Sequence, residues 1–495
     1  MLLRVFKRGI AISALVVAFA PLAASSGGLK PGSLDPSFGR SGIVMTPIGL
    51  SAFAEDVVLQ PDGKVIAVGL AMDRSDRAVF ALTRHEPDGS LDPSFGRDGI
   101  VMTDVDGRGA GASAAALLPG HKIVVVGGAL TETTSGFALA EYGPDGKLEP
   151  SFGENGVVTT TIGRSSGAHD VAIQPDGKIV AAGSTFTGTT VDFAIARYEP
   201  DGSLDKTFGT EGIVTSNVGG IDSIWGLALQ PDGKIVAAGS KLGERMGGVF
   251  VIARYNRDGS PDSSFGKGGV VTSSVDSAYA GAYDVVIQPD GKIIAAGYNY
   301  DFGLVRLNPN GSADASFGED GIVTTTFADG SSASAVALQP DGKVLAAGGT
   351  DEDGRVKIAI ARYRRDGKLD RFFGREGKVR TALVSGWNGS ASSLGIERGG
   401  KIVVAGGARE TSTTSFLLAR YVGGTLKCVV PKVIGKKAGP AKRKIRRAYC
   451  FVGLVKKSFS HRVPKGRVIS QRPRAHTKHP AGTKVKLVIS KGKQP

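Results

Sequence analysis

The sequence predicts an all-β protein, a seven-bladed propeller with four-stranded blades, followed by a small α+β domain. The first indication is a hairpin turn, Gln-Pro-Asp-Gly-Lys in its clearest copies, whose lysine recurs at intervals of 51 to 58 residues. The second is the hexapeptide Leu-Asp-Pro-Ser-Phe-Gly, which returns once per hairpin with some drift. The third is that the repeats begin with a lone strand and end one strand short, which a closed ring of blades would reconcile.

The hairpin turn organises each repeat. In residues 174–178, Pro175 presets the first corner of the turn, Asp176 caps it, and Gly177 takes the left-handed position. Apolar residues alternate before this turn and an apolar run follows it, so that two strands flank it. The turn lysines are Lys64, Lys122, Lys178, Lys234, Lys292, Lys343 and Lys401. Seven copies of a unit that cannot bury its own faces predict a core formed by stacked neighbours.

Two further strands complete each repeat. The third strand ends in a basic residue, as in residues 195–198, and a short fourth strand follows the Phe-Gly of the hexapeptide. Residues 42–46 form an isolated fourth strand, whereas the last repeat ends with its third strand at residues 417–421. We therefore predict that residues 43–46 pair with residues 416–421 and close the ring, which would remove open sheet edges. A linear β-solenoid is the alternative, and it would leave these two strands far apart.

The repeated marks resemble those of a known family. Leu34 to Gly39, the Gly-Ile-Val strands, the Gln-Pro-Asp-Gly-Lys turns and the Ala-Arg-Tyr strands are similar to the bacterial delta-60 repeat over residues 33–424. The resemblance implies a propeller-like architecture in an exported protein. It implies no particular activity.

Residues that do not repeat are the candidates for ligand binding. The repeated turns are expected on one face of the disc, which leaves the variable connections on the opposite face. Four aromatic residues fall in or beside those connections and are our candidate ligand-binding residues: Trp225, Tyr279, Tyr283 and Trp387. The alternative is that these rings only pack between neighbouring loops.

Three aspartates stand at the predicted start of the innermost strands. Asp56, Asp170 and Asp284 could ring the mouth of the channel and collect a cation or a basic ligand group. The aspartates of the Pro-Asp-Gly turns and of the hexapeptide are interpreted instead as turn caps. We predict no cofactor, no metal site and no catalytic constellation. The elbow-like spacing of residues 163–167 lies between strands and is interpreted as chance.

The two ends of the chain differ from the repeats. Residues 1–26 combine a basic start, an apolar run and small residues, which predicts a secretory signal peptide; a membrane anchor is the alternative, but the run is short for a span. No transmembrane segment is expected after signal removal. Residues 422–495 contain 21 Lys and Arg and no Asp or Glu, so attraction to polyanions should reside there.

The C-terminal segment, residues 427–493, resembles a PASTA domain. The matching marks are Val430-Pro431 with Gly435, the stretch from Val463 to Gln471, and Gly482 to Gly492. A helix is expected at residues 440–449 and strands at 467–471 and 484–490. The family has a capping Ser where this chain has Lys437, which should weaken the helix start. The resemblance implies an exported module that engages peptidoglycan in some proteins and serves as a spacer in others.

The chain has only two cysteines, Cys428 and Cys450. In an exported chain this pair predicts a disulfide, with two free thiols as the alternative. Together these features predict a secreted or cell-wall-associated bacterial binding or scaffold protein. Its expected partner is peptidoglycan or another anionic wall polymer, and nucleic acid is disfavoured because the chain is exported. The alternative is an extracellular carbohydrate-active propeller enzyme, for which the candidate loop acids are Asp104, Asp106, Asp222, Asp276 and Asp329.

Overall fold

The structure is a computed structural model. It describes residues 29–242, 248–273, 280–298, 300–328, 330–384, 386–424, 427–448, 450–480 and 483–494. The predicted signal peptide at residues 1–26 lies outside the described residues. Within the described ranges, no helix combines the length and the apolar character needed to cross a membrane.

The repeat region is an all-β, propeller-like fold built from four-stranded antiparallel units. The chain begins with strand β1 (Ile43–Thr46). Unit 1 contains β2 (Ser51–Leu59), β3 (Val65–Met72), β4 (Ala78–His85) and β5 (Ile100–Thr103). Unit 2 contains β6 (Ala110–Leu117), a 3-10 turn (Pro119–His121), β7 (Ile123–Leu130), β8 (Ser135–Tyr142) and β9 (Val157–Thr160). Unit 3 contains β10 (Ser165–Ile173), β11 (Ile179–Phe186), β12 (Val191–Tyr198) and β13 (Ile213–Ser216).

The remaining units repeat this order. Unit 4 contains β14 (Ile221–Leu229), β15 (Ile235–Leu242), β16 (Gly248–Tyr255) and β17 (Val270–Ser273). Unit 5 contains β18 (Gly281–Ile287), β19 (Ile293–Tyr298), β20 (Phe302–Leu307) and β21 (Ile322–Thr325). Unit 6 contains β22 (Gly330–Leu338), β23 (Val344–Glu352), β24 (Arg355–Tyr363) and β25 (Lys378–Thr381). Unit 7 contains β26 (Trp387–Ile396), β27 (Ile402–Glu410), β28 (Thr413–Tyr421) and, as its fourth strand, β1.

Strand β1 pairs with β28, as predicted from the sequence. Ile43 lies opposite Ala419 and Thr46 lies opposite Phe416 in an antiparallel ladder. Strand β28 begins at Thr413, earlier than predicted. The N-terminal strand is therefore the fourth strand of the sheet that contains β26, β27 and β28.

Neighbouring units share their hydrophobic cores. The second and third strands are buried over long runs because another unit covers each face, as in β3, where five consecutive residues are buried. One cluster combines Ala52 and Val65 of unit 1 with Val403 and Phe416 of unit 7. Each neighbouring pair of units has a cluster of this kind. This explains why the sequence has uninterrupted apolar runs instead of half-buried alternation.

The hairpin turn, the third strand and the hexapeptide of a repeat each contribute a charged residue to one ion cluster. In unit 3, Asp205 of the hexapeptide accepts hydrogen bonds from Arg197 Nε at 2.6 Å and from Lys178 Nζ at 2.8 Å. The guanidinium of Arg197 lies 4.5 Å above the ring of Phe208 and donates to the backbone carbonyl of Arg257 in unit 4. These contacts place the hairpin turns and the hexapeptides on the same face. Unit 2 differs, because Lys122 lies between Glu141 at 2.9 Å and Glu149 at 3.0 Å.

A repeated backbone hydrogen bond joins each unit to the next. The amide of the hexapeptide glycine donates to a turn carbonyl of the following unit, as Gly96 does to Asp145 at 2.8 Å. The equivalent pairs are Gly39 with Asp88, Gly153 with Asp201, Gly209 with Asp258, Gly266 with Asn310, Gly318 with Asp366, and Gly374 with Pro31. The same contact therefore recurs at every junction, including the junction between unit 7 and unit 1.

The C-terminal segment forms a small α+β domain. Its elements are β29 (Lys427–Val429), α1 (Ala438–Arg447), β30 (Phe451–Ser458), β31 (Val468–Arg472), β32 (Lys478–Pro480) and β33 (Lys484–Ser490). Strand β33 lies between β30 and β31, and β29 pairs with β32. The helix starts two residues before the predicted position and buries Ile445 in the core. The predicted disulfide between Cys428 and Cys450 is confirmed, with the two Cα atoms 5.0 Å apart.

Candidate functional site

Every first strand of a unit carries a β-bulge at the same position. In β2 the pairing with β3 shifts between Ala54 and Asp56, so that Glu55 is the extra residue. The seven extra residues, here called the bulge ring, are Glu55, Ser113, His169, Trp225, Tyr283, Ser334 and Ser392. The first strands of adjacent units contact one another. The bulge ring therefore lies where the units converge, and bulges commonly redirect side chains at such places.

A repeated glycine makes the bulge possible. Ala168, just before the bulge of β10, pairs with Gly183 of β11. A Cβ atom at Gly183 would collide with the carbonyl oxygen of Gly167. The same collision would occur at Gly69 with Phe53 and at Gly239 with Ser223. The glycine in the middle of each second strand is thus required by the bulge opposite it.

Three consecutive members of the bulge ring contact each other through their rings. The centroids of His169 and Trp225 lie 4.4 Å apart, and those of Trp225 and Tyr283 lie 6.0 Å apart in an edge-on arrangement. Trp225 donates from Nε1 to Ser240 Oγ at 3.3 Å and remains 36% exposed. Units 3, 4 and 5 therefore supply a fixed aromatic platform with an accessible indole.

Polar side chains complete the bulge ring. Among the described residues, no hydrogen bond or ion pair engages the carboxylate of Glu55 or the hydroxyls of Ser113, Ser334 and Ser392. Burial, with a smaller effect from the charge of Asp56, raises the pKa of Glu55 to about 7. Burial lowers the pKa of His169 to about 4, so the imidazole is neutral at pH 7. The ring thus offers hydrogen-bonding groups of low net charge beside an aromatic surface.

The three predicted channel-mouth acids lie within the first strands, directly after the bulge. Asp56 accepts from the amide of Ala115 in unit 2 at 2.9 Å, Asp170 from Leu227 in unit 4 at 2.6 Å, and Asp284 from Val336 in unit 6 at 2.7 Å. Their other oxygens accept from the amides of the residues that follow them. These carboxylates therefore link odd-numbered units to the next unit. At the last junction, Ser393 of unit 7 donates to Asp56 at 2.7 Å.

The buried aspartates do not form a metal site in the part of the chain that the structure describes. No group of three or more His, Cys, Asp or Glu side chains there is arranged to hold a metal ion. Burial raises the pKa of Asp284 to about 7. Burial, followed by repulsion from Asp284 and Asp56, raises the pKa of Asp170 well above its usual value. Asp170 and Asp284 are therefore affected by neighbouring carboxylate charge, while the oxygens of all three aspartates accept hydrogen bonds from backbone amides.

The three described candidate aromatic residues, Trp225, Tyr283 and Trp387, fall in two separate places. Trp225 and Tyr283 lie on bulged strands and not in loops, because their strands begin five and three residues earlier, respectively, than the sequence pattern indicates. Trp387 begins β26 and packs beside Met45 and Leu383, away from the other two. Tyr279 lies outside the described residues. The sequence analysis did not identify Glu55, His169 and the three serines as candidate site residues. The glycine that recurs in the second strands could have indicated the bulges, because it lies opposite them.

A cleft of about 720 Å³ leads to the bulge ring. It crosses units 1 to 3 on the face away from the repeated turns, where Arg77, Leu130 and Phe186 contribute to its outer part. Its inner part includes Ser166, Ser184 and His169. Ser184 Oγ lies 3.4 Å from His169 Nε2. The cleft has the size of a small-molecule site and reaches the bulge ring at His169.

Comparison with solved structures finds distant similarity to several proteins. The chain is 14% identical to the polysaccharide lyase Uly1, covering 82% of this chain and 94% of that one, with a TM-score of 0.44. A protein of unknown function from Dyadobacter fermentans is 12% identical, with 78% and 100% covered and a TM-score of 0.43. The extracellular domain of a protein assigned as a one-component system of B. thetaiotaomicron is 12% identical over 76% of this chain, with a TM-score of 0.38. The chain spans 39% of that protein's length.

Family models identify both parts of the chain. The domain of unknown function DUF5122, a β-propeller, matches residues 60–95, 122–152, 174–208, 230–265, 288–317 and 339–373. The delta-60 repeat is a coarser name for the same repeat family. The hexapeptide of unit 7 stands at the N-terminus, so this unit is divided between the two ends of the repeat region. A PASTA domain matches residues 429–491. The chain therefore carries six DUF5122 β-propeller repeats and a C-terminal PASTA domain.

Proposed function

We propose that this chain is a secreted cell-envelope binding protein with no catalytic activity of its own. A closed seven-bladed propeller presents a ligand site, and the basic PASTA domain holds the protein to peptidoglycan or another anionic wall polymer. The pairing of β1 with β28 and the repeated junction hydrogen bonds support ring closure. Export is supported by the disulfide and by the sequence of residues 1–26.

One observation carries the wall-binding part of the proposal. Arg472 of β31 lies directly opposite Lys486 of β33, and both side chains are exposed. Lys484 projects from the same face, because Lys484 and Lys486 alternate with the buried Val485. Like charges opposite one another destabilise a sheet, and residues 422–495 contain no Asp or Glu to compensate them. A bound anionic polymer would offset the repulsion between these basic side chains. Binding of such a polymer would therefore explain why the sheet carries them.

The enzyme alternative lacks a comparable observation. Asp104 lies 3.2 Å from Arg77, and Asp222 is buried and accepts from the amide of Val218 at 2.6 Å. Asp276 and Asp329 lie outside the described residues. Asp106, the third described candidate, is exposed. A general acid and base would need to converge on one substrate position, and Asp104 and Asp222 are engaged in separate local contacts.

The test is retention of the mature chain on purified cell walls over a salt series. We expect salt to release the protein, because ions screen contacts between exposed charges. Combining Arg472→Gln, Lys484→Gln and Lys486→Gln should lower retention at low salt about tenfold. The matched control combines Arg97→Gln, Lys267→Gln and Arg375→Gln, which removes three exposed charges from the repeat region. Unchanged retention of the first variant, or an equal loss in the control, would contradict the proposal.

A further inference from the structure

The bulge ring differs from the rest of the repeat region because its residues do not repeat. The position before the bulge does recur, with alanine in six of the seven units. The bulge position instead holds an acid, an imidazole, two large aromatic rings and three serines. Scaffold chemistry is repeated from unit to unit, so an unrepeated position inside a repeated frame points to recognition.

The arrangement of these side chains defines the ligand. His169 packs against the indole of Trp225 and Tyr283 approaches it edge-on, which holds the indole in place and leaves part of it accessible. The face of an aromatic ring carries negative charge density and attracts weakly positive C–H groups. A pyranose ring presents such C–H groups on one face and hydroxyls around its edge. The hydroxyls need hydrogen-bonding partners, which Glu55 and the serines of units 2, 6 and 7 offer.

Charge narrows the ligand class further. The bulge ring contains no Lys or Arg. At the outer end of the cleft, Arg77 is paired with Asp73 and Asp104, and Arg108 is paired with Glu132. A phosphate or carboxylate ligand would therefore find no uncommitted cation there among the described residues. Burial also keeps the imidazole of His169 neutral, which suits an uncharged ligand.

We propose that the bulge ring binds a neutral pyranose sugar, stacked on Trp225 and reached through the cleft of units 1 to 3. The inference deepens the proposed function, because it names the ligand class for the propeller of a wall-associated binding protein. In this proposal Tyr283 of the platform and Glu55 of unit 1 contribute hydrogen bonds to the sugar hydroxyls.

The two tryptophans allow a direct test, since Trp225 and Trp387 are the only ones in the protein. The Trp387→Phe variant leaves Trp225 as the sole tryptophan, and its emission is followed during titration with triacetylchitotriose or cellotriose. We expect a saturable change in emission, because the sugar would replace water beside the indole. The matched variant, Trp225→Phe, should show no change, since Trp387 lies apart from the bulge ring.

Two further arms make the result decisive. Adding Glu55→Gln to the Trp387→Phe variant should weaken binding about tenfold, the loss expected when one charge-assisted hydrogen bond is replaced. Absence of a saturable signal with both sugars up to about 10 mM would overturn the inference. A response to choline chloride without a response to sugar would overturn it as well, because it would indicate a cation site.

Failure of this inference can be separated from failure of the proposed function. Salt-sensitive retention on cell walls depends on Arg472, Lys484 and Lys486, whereas the titration depends on the bulge ring. If retention behaves as expected and Trp225 does not respond, only the sugar site is wrong. If Trp225 responds and retention is insensitive to the basic residues, the wall contact is wrong and the sugar site stands.

Discussion

At the scale of single residues, the hexapeptide aspartates show what a sequence can and cannot reveal. The sequence predicts Asp35, Asp92 and Asp205 as turn caps, and Asp35 does accept from both the amide and the hydroxyl of Ser37. The ion pairs of the same carboxylates could not be predicted, because they depend on how distant segments fold together. Asp35 lies 2.8 Å from Arg420 and 2.7 Å from Lys401. One side chain thus caps a local turn and also fixes the junction between the two ends of the repeat region.

Asp35→Asn should lower the free energy of unfolding by about 3 kcal/mol, because it leaves the buried guanidinium of Arg420 without its carboxylate. Burial alone would raise the pKa of Asp35, but hydrogen bonds from Lys401 and Ser37 and the charge of Arg420 outweigh it and lower the pKa to about 2. The ionised form is therefore favoured by folding. Its contribution is complete above about pH 5 and is lost as the pH falls toward 2.

Chemical denaturation of the wild type and of Asp35→Asn at several pH values checks this. The difference between them should be largest near neutral pH and should shrink toward pH 2. The control is Asp176→Asn, an exposed turn cap that bonds the amide of Lys178 at 3.3 Å, which should change stability by no more than about 0.5 kcal/mol. A difference that is independent of pH would show that the ionised carboxylate is not what stabilises the junction.

At the scale of elements, the sequence locates turns and apolar runs well and locates the first strands poorly. The strand β33 agrees with the sequence prediction at both ends. Strand β10 begins at Ser165, although regular alternation starts only at Asp170. The bulge at His169 explains the difference, because an extra residue breaks the period of two on which strand prediction depends. The candidate site could be predicted only in part for the same reason, since its residues occupy the interruption.

The disulfide between Cys428 and Cys450 joins two elements of the PASTA domain. It should therefore stabilise this domain and not the repeat region. Replacing Cys428 and Cys450 by serine opens a loop with a sequence separation of 22 residues, which should lower the stability of the domain by about 3 kcal/mol. Both tryptophans lie in the repeat region, so tryptophan emission reports that region separately from the total heat absorbed in calorimetry. We expect a calorimetric transition to shift while the transition seen by emission stays in place. Equal shifts in both would show that the two regions unfold together.

At the scale of the whole molecule, the pairing of β1 with β28 covers a sheet edge that would otherwise be open. Strand β28 would expose the unpaired backbone of residues 416–419 if β1 were absent, and such an edge recruits other chains. The same N-terminal segment supplies Phe38, whose ring lies 4.4 Å from the guanidinium of Arg420. Arg420 itself also donates from Nη1 to the backbone carbonyl of Pro87 in unit 1, at 2.6 Å. Hydrogen bonding, packing and charge therefore depend on one short segment at this junction.

A chain that begins at residue 50 should consequently melt at a lower temperature than one that begins at residue 29, and its light scattering should rise with concentration. The truncation removes β1, leaves one edge of β28 unpaired and takes Asp35 and Phe38 away from Arg420, while all other units keep their four strands. A peptide of residues 29–49 added in trans should restore the melting temperature, because it can pair with the free edge as β1 does. A scrambled peptide of the same composition is the control. If the truncated chain stays monomeric and equally stable, or if the scrambled peptide restores it equally well, the repeat region does not depend on β1 for closure.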